Sequence, residues 1–152
     1  SIFILTNTDK YGGGGIYNFY GLGSAGKTGL TGEVYVHEFG HSLMGLGDEY
    51  IEKGNTVSEL YPEGVEPWEA NLTRFVKFEG KWEKMIAEDT PIPTPRIEGS
   101  TEKEWKIGAY EGGGYLEKGV FRGWPECMMK ALTDFCPVCQ DAITRYLDYI
   151  CK

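Results

Sequence analysis

Histidine is nearly absent from this chain: only two occur in 152 residues, at positions 37 and 41. Any centre that needs a third imidazole is therefore excluded. Long hydrophobic runs are also missing. The longest, Ile2 to Leu5, is strand-sized, far short of the ~20 residues of a membrane span, so the chain is not expected to be membrane-embedded. Positive charge is the minority sign, with 15 Lys and Arg against 23 Asp and Glu and a net charge of −8. That balance disfavours nucleic acid and anionic membranes as partners, because phosphate binding needs clustered Lys and Arg. Cysteine does not appear until position 127, after which four follow, at 127, 136, 139 and 151. An even, clustered set fits one or two disulfides in an exported protein. Cys136-Pro-Val-Cys139 could alternatively be half of a Cys₄ zinc site completed by Cys127 and Cys151. Such sites usually carry two CxxC pairs, so disulfides or buried thiols are the preferred reading.

What is abundant is glycine, with 22 residues, roughly double the typical ~7% share. Many tight turns follow, suiting a site built at the mouth of a cleft. Length and a hydrophobic content of 41% indicate one globular domain over residues 1–152. Ile2 to Leu5 reads as a buried strand running into a turn, Tyr11 to Gly15 as a flexible loop, and Ile16 to Tyr20 as a second strand. Thr31-Gly32-Glu33 starts a helix capped by Thr31, which Val34, Phe39, Leu43 and Leu46 continue and Gly45 and Gly47 stop. Lys81 to Ala87 is a short helix candidate, and the prolines at 91, 93 and 95 impose an extended segment. Trp105 to Tyr110 and Tyr115 to Phe121 read as a strand pair. Pro137 opens the last helix, whose apolar face is Val138, Ala142, Ile143, Tyr146, Leu147 and Ile150. The fold class is α+β.

Both histidines fall in His37-Glu38-Phe39-Gly40-His41. Residues four apart on a helix share a face about one turn apart, so both imidazoles reach one ion. Glu38 then lies to the side, where it can take a proton from water. Two ligands and a base are the physical content of the zinc-peptidase signature, in which Zn²⁺ acidifies water and polarises the scissile carbonyl. A catalytic zinc needs a third protein ligand, which here must be a carboxylate or a cysteine. Asp48 is the first choice and Glu49 the runner-up. On a continuing helix Asp48 would lie about 10 Å further along the axis, but Gly45 and Gly47 let the chain turn back.

His37 to Ser42, with Gly45-Leu46 and Asp48-Glu49-Tyr50, resembles the bacterial IgA-peptidase family of metzincin-like zinc metallopeptidases. Further stations of that family recur in order: Tyr11-Gly12-Gly13, Thr90 to Pro95, Glu111-Gly112-Gly113, Cys127-Met128-Met129 and Phe135 to Cys139. The resemblance covers nearly the whole chain. It implies a small twisted sheet, an active-site helix, a Met-turn and a C-terminal helix. It also implies an exported or cell-surface bacterial endopeptidase that cuts protein or peptide substrates, possible immunoglobulin A-type chains among them. Zinc would be held by His37, His41 and Asp48, with Glu38 as general base. The metzincin pattern has its glycine and third ligand three and six residues after the second histidine; here both fall one residue later, at Gly45 and Asp48. The Met-turn residue is Met129, with Met128 as the alternative. Only about 30 residues precede the motif, so this chain is expected to be the C-terminal portion of such a domain.

Tyr50 and Tyr115 are candidate oxyanion donors. Arg122 is read as a salt-bridge partner ahead of a substrate-carboxylate binder, and Glu111 as a turn residue ahead of a cleft residue. Gly21 to Thr28 matches the spacing of a phosphate loop but lacks the apolar helix that must follow one. A different class of function is a non-catalytic zinc-containing binding domain of a surface protein. Glu38 argues against it, since such a domain has no need of a base beside its metal.

Overall fold

A computed structural model describes residues 2–26, 31–55 and 58–152. Among the described residues, two small three-stranded sheets and three α-helices make an α+β fold. The first sheet contains β1 (Ile2–Thr6), β2 (Gly13–Ile16) and β3 (Tyr20–Ser24) in the order β1-β3-β2. β3 runs parallel to β1 and antiparallel to β2. Helix α1 (Thr31–Ser42) packs on this sheet, with Phe3 edge-on to Tyr35 at 4.9 Å between ring centroids.

Two expectations change here. β1 is a strand but not a buried one: Ile2 and Leu5 are more than 60% exposed, because it is an edge strand with α1 on one side only. The second strand starts inside the glycine run rather than after it, and residues 17–19 form the turn to β3. The sheet tolerates this because α1 comes so close that side chains larger than hydrogen would collide with it.

The second sheet joins β4 (Leu72–Thr73), β5 (Tyr110–Gly113) and β6 (Leu116–Arg122) in the antiparallel order β4-β6-β5. The expected strand pair is present, but its first member begins at Tyr110 rather than Trp105 and takes in the glycines, with a register shift between Glu111 and Gly113. Leu72, Leu116, Val120 and Tyr61 bury one face. The 81–87 segment forms only a single 3₁₀ turn, Glu83–Met85. It nevertheless seats the fully buried Trp82, whose indole donates to the Gly108 carbonyl at 2.7 Å. Residues 91–97 carry no helix or strand.

The larger core gathers a short α2 (Met128–Ala131), the first turns of α3 (Pro137–Ile150) and side chains from the connecting segments. It is filled by Leu46, Phe78, Trp82, Met128, Met129, Val138 and Ala142. α3 starts as its sequence dictates, with Pro137 in the first turn and Cys136 as N-cap, accepting from the Cys139 N–H. No pair of the four cysteines is bonded. Cys127, Cys136 and Cys139 are buried free thiols, and Cys151 is exposed at the far end of α3. Of the two preferred alternatives, buried thiols are seen and disulfides are not, and Cys151 does not join the other three.

Candidate metal centre

Helical spacing puts the His37 and His41 rings one turn apart, with centroids 4.8 Å from each other. Each ring is fixed from behind by a backbone carbonyl. His37 Nδ1–H donates to Met128 O at 2.9 Å, and His41 Nδ1–H to Leu46 O at 2.6 Å. A carbonyl only accepts, so both protons of the neutral rings are on Nδ1 and both Nε2 atoms present lone pairs. Those Nε2 atoms are 3.1 Å apart, and Asp48 Oδ1 lies 3.0 Å from one and 3.2 Å from the other. Three electron-rich atoms converge on one point, an arrangement that only a cation or added protons can stabilise.

The ionisation behaviour has the same origin. Burial, the largest single influence, pulls both imidazoles down, but the hydrogen bonds to Asp48 and to the Met128 and Leu46 carbonyls, together with the Asp48 charge, outweigh it, so His37 and His41 are raised. Burial likewise pushes Asp48 up, and the two histidines reverse it, holding this carboxyl well below the usual range.

The turn back from α1 to Asp48 starts at Gly45, whose φ of +65° is left-handed. The chain then folds over the last helical turn, Leu46 N–H donating to Gly40 O at 3.0 Å. Asn71, fully buried, clamps the returning segment. Its amide oxygen accepts from Gly47 N–H at 2.8 Å, and its amino group donates to Gly47 O and to Glu49 Oε1, both at 2.9 Å. On the other side, Gly114 N–H donates to Asp48 O at 2.7 Å, and the Tyr115 hydroxyl donates to Asp48 Oδ2. Neighbours on an extended chain point to opposite faces. Asp48 therefore turns to the imidazoles, and Glu49 turns away into the interior, bonded to Asn71 and to the Cys139 thiol. Burial pushes Glu49 up to about 8.

Glu38 is buried beside β2. A Cβ on Gly13 would fall 2.5 Å from Glu38 Oε1, and one on Gly15 would fall 2.5 Å from Glu38 O and 2.6 Å from His41 Cβ. Glycine at both positions is what lets the strand lie against the motif. Burial raises the Glu38 carboxyl, with His37 and His41 pulling in the other direction. The two histidines, Glu38 and Asp48 open into a cleft of about 330 Å³, walled by Gly13 to Gly15, Tyr17, Trp68 and Tyr61.

Met128 and Met129 serve the centre differently. Met128 supplies the carbonyl behind His37, whereas Met129 packs beneath α1, its Sδ 2.7 Å from where a Cβ on Gly40 would stand. Met129 O also accepts Glu49 N–H at 2.7 Å. Of the tyrosines, Tyr115 is committed to Asp48 and stacks edge-on with Tyr50 at 5.0 Å. Tyr50, half-buried, borders the cleft.

Arg122 corrects both readings given to it. Among the described residues no carboxylate stands within ion-pair distance of it, and its guanidinium donates instead to the Glu111 and Gly112 carbonyls at 2.9 and 2.5 Å. Glu111 lies outside the cleft, accepting Gly119 N–H across the hairpin. Gly21 to Ser24 are strand β3 rather than a loop, and Lys27 and Thr28 lie outside the described residues. Asn71, Tyr61 and Glu69 escaped sequence reasoning. They sit in a polar stretch without a motif, and only packing shows that Tyr61 donates to Glu69 at 2.9 Å beside the cleft.

A helix-borne pair of imidazoles and a buried carboxylate facing them form a group able to hold a metal ion, with a second carboxylate beside it in the cleft. The model of the IgA Peptidase M64 family matches residues 1–105 and 97–147, nearly the full length, and the chain belongs to that family. No curated protein matches it.

Proposed function

We propose that this protein is a zinc-dependent endopeptidase of metzincin-like design, with His37, His41 and Asp48 as metal ligands and Glu38 as general base. The observation that carries this reading is the convergence of two Nε2 lone pairs and Asp48 Oδ1 within 3.2 Å of one another. Two imidazoles and one carboxylate are a donor set suited to zinc, which in catalytic sites keeps a further position open. A zinc ion held there supplies Lewis acidity, acidifying water and polarising a carbonyl.

The chain's own residues do the rest. Glu38 accepts the proton of the attacking water at its carboxylate and delivers it to the leaving amine. Its raised pKa suits a group that must both take and return a proton. Tyr115 holds Asp48 Oδ2 and so leaves Oδ1 facing the imidazoles. Tyr50, which lines the cleft beside Tyr115, is the donor assigned to meet a developing oxyanion. Met129 is the Met-turn residue, packed under the helix that carries both histidines.

β2 is one of the two edge strands of its sheet and borders the cleft through Gly13 to Gly15. An extended polypeptide can pair with such an edge on either side of the scissile bond, which supports endopeptidase action on protein substrates. Immunoglobulin A-type chains are the substrate that the family description names, and an exported or cell-surface enzyme of a bacterium is the setting in which it would meet them.

The test is metal content measured with proteolysis of a generic protein substrate. Wild type should carry zinc and cleave. Glu38→Ala should keep its zinc and lose activity by about 10²-fold or more, and His41→Ala should lose both. Full activity in Glu38→Ala, or a wild type that binds no zinc, would overturn the proposal.

A further inference from the structure

Directly behind the cleft, on the far side of Asp48, four more metal-type donors meet. Glu49, Cys127, Cys136 and Cys139 are all buried, and their Oε and Sγ atoms lie within 4.8 Å of one another. Cys127 Sγ is 3.5 Å from Cys139 Sγ, which is 3.3 Å from Glu49 Oε1. Tetrahedral zinc, with Zn–S of about 2.3 Å, sets its thiolates roughly 3.8 Å apart, so this spacing is that of a first coordination shell.

We propose that Cys127, Cys136, Cys139 and Glu49 form a second, structural metal site for a thiophilic divalent cation, zinc above all. Three independent features point to it. First, Glu49 is fully buried with its Oε2 lacking any hydrogen-bond partner, an oxygen that a cation would satisfy. Second, the thiols are supported as metal thiolates usually are, by backbone N–H groups aimed at sulfur. Cys136 N–H points to Cys127 Sγ at 3.3 Å, and Cys139 N–H to Cys136 Sγ at 3.5 Å. Third, the buried guanidinium of Arg122 contributes positive charge near Glu49. Three thiolates and a carboxylate carry four negative charges against the two of zinc, and Arg122 offsets part of the remainder. A disulfide would use two of the three sulfurs and leave the third thiol and the carboxylate stranded in the core.

The site joins the three segments that shape the centre in front of it. Glu49 adjoins Asp48, Cys127 precedes the Met128 carbonyl that orients His37, and Cys136 and Cys139 open α3. Metal binding takes the donors as three thiolates and a carboxylate, and the protons that the thiols and Glu49 carry are released to solvent. The site therefore acts as a fastening for the Asp48 turn and the Met128–Met129 turn, and it does not depend on whether the cleft is catalytic.

Metal stoichiometry and cobalt spectroscopy on the full chain test this. Reduced wild type should hold about two zinc ions, and its cobalt(II) form should show a near-ultraviolet sulfur-to-cobalt charge-transfer band, which histidine and carboxylate ligands do not produce. Cys136→Ser should lose that band and one zinc while retaining the cleft metal. Serine is itself a favoured N-cap, so α3 can still start. Cys151→Ser, at the exposed cysteine, should change neither. Wild type alone decides the matter if the variant does not fold. A reduced wild type with one zinc and no charge-transfer band refutes the site, as does a disulfide among Cys127, Cys136 and Cys139 in protein isolated without reductant.

Discussion

Replacing Asn71 with alanine removes one side chain that touches neither substrate nor metal, yet it should weaken the whole centre. The amide makes three buried hydrogen bonds, two to Gly47 and one to Glu49 Oε1. A neutral buried bond contributes about 1 kcal/mol and one to a carboxylate about 2 kcal/mol, before counting the groups left unpaired. The expected destabilisation is about 4 kcal/mol, a large share of the 5–15 kcal/mol typical of a domain, and corresponds to a fall in melting temperature of roughly 10 °C. Because the same bonds hold the backbone that aims Asp48, zinc affinity should fall at least about tenfold, equivalent to 1.4 kcal/mol. Urea denaturation and competitive zinc titration measure the two effects. Asn71→Asp should not rescue either, since it retains the acceptor for Gly47 N–H but loses both donated bonds and sets a second carboxylate beside Glu49. A loss below about 1 kcal/mol with unchanged zinc affinity would refute the clamp.

Gly15→Ala should drive a Cβ into the α1 backbone and His41, costing about 1–3 kcal/mol and lowering zinc binding, as calorimetry and metal analysis would show. Gly14→Ala, with open space at its Cβ position, is the matched control. Tyr115→Phe should leave Asp48 Oδ2 without its donor and raise the zinc dissociation constant about tenfold, with the fold intact by circular dichroism. Glu66 accepts from the N–H groups of Arg74, Val76 and Lys77 and pairs with Lys81 at 2.9 Å. Burial would raise its pKa, but these partners outweigh it and hold it lowered. Its contribution is therefore present above the ordinary glutamate value of 4.5 and lost as pH falls through the lower folded value. Glu66→Gln should cost about 1–2 kcal/mol near neutrality. That gap should close in acid, and a gap constant down to pH 3 would contradict the assignment.

Local pattern carried some elements and not others. The last helix was legible because Pro137 and an apolar face at helical spacing agree with its final packing. The second strand was misplaced because glycines ordinarily read as loop. Here they are strand residues on account of α1, which lies against them. The same contact explains why the Tyr11 to Gly15 run could not be assigned from its own composition. Arg122 was misread because a buried cation is expected to seek a carboxylate. The bulged β5 offers it two carbonyls instead.

The sequence by itself determined the chemistry on offer: two imidazoles one helical turn apart, a carboxylate between them, and two more acids just past a glycine turn. Spacing along a helix is a local property, so no other part of the molecule was needed to read it. Which acid faces the imidazoles is a different matter. It depends on Asn71, Gly114 and Tyr115, distant in the chain, gripping the backbone so that Asp48 looks outward and Glu49 inward. The meeting of Glu49 with three of the four cysteines also arises only in the folded chain. It requires the Asp48 turn, the Met128–Met129 turn and the start of α3 to pack against one another, and contacts between remote segments leave no periodicity in a sequence.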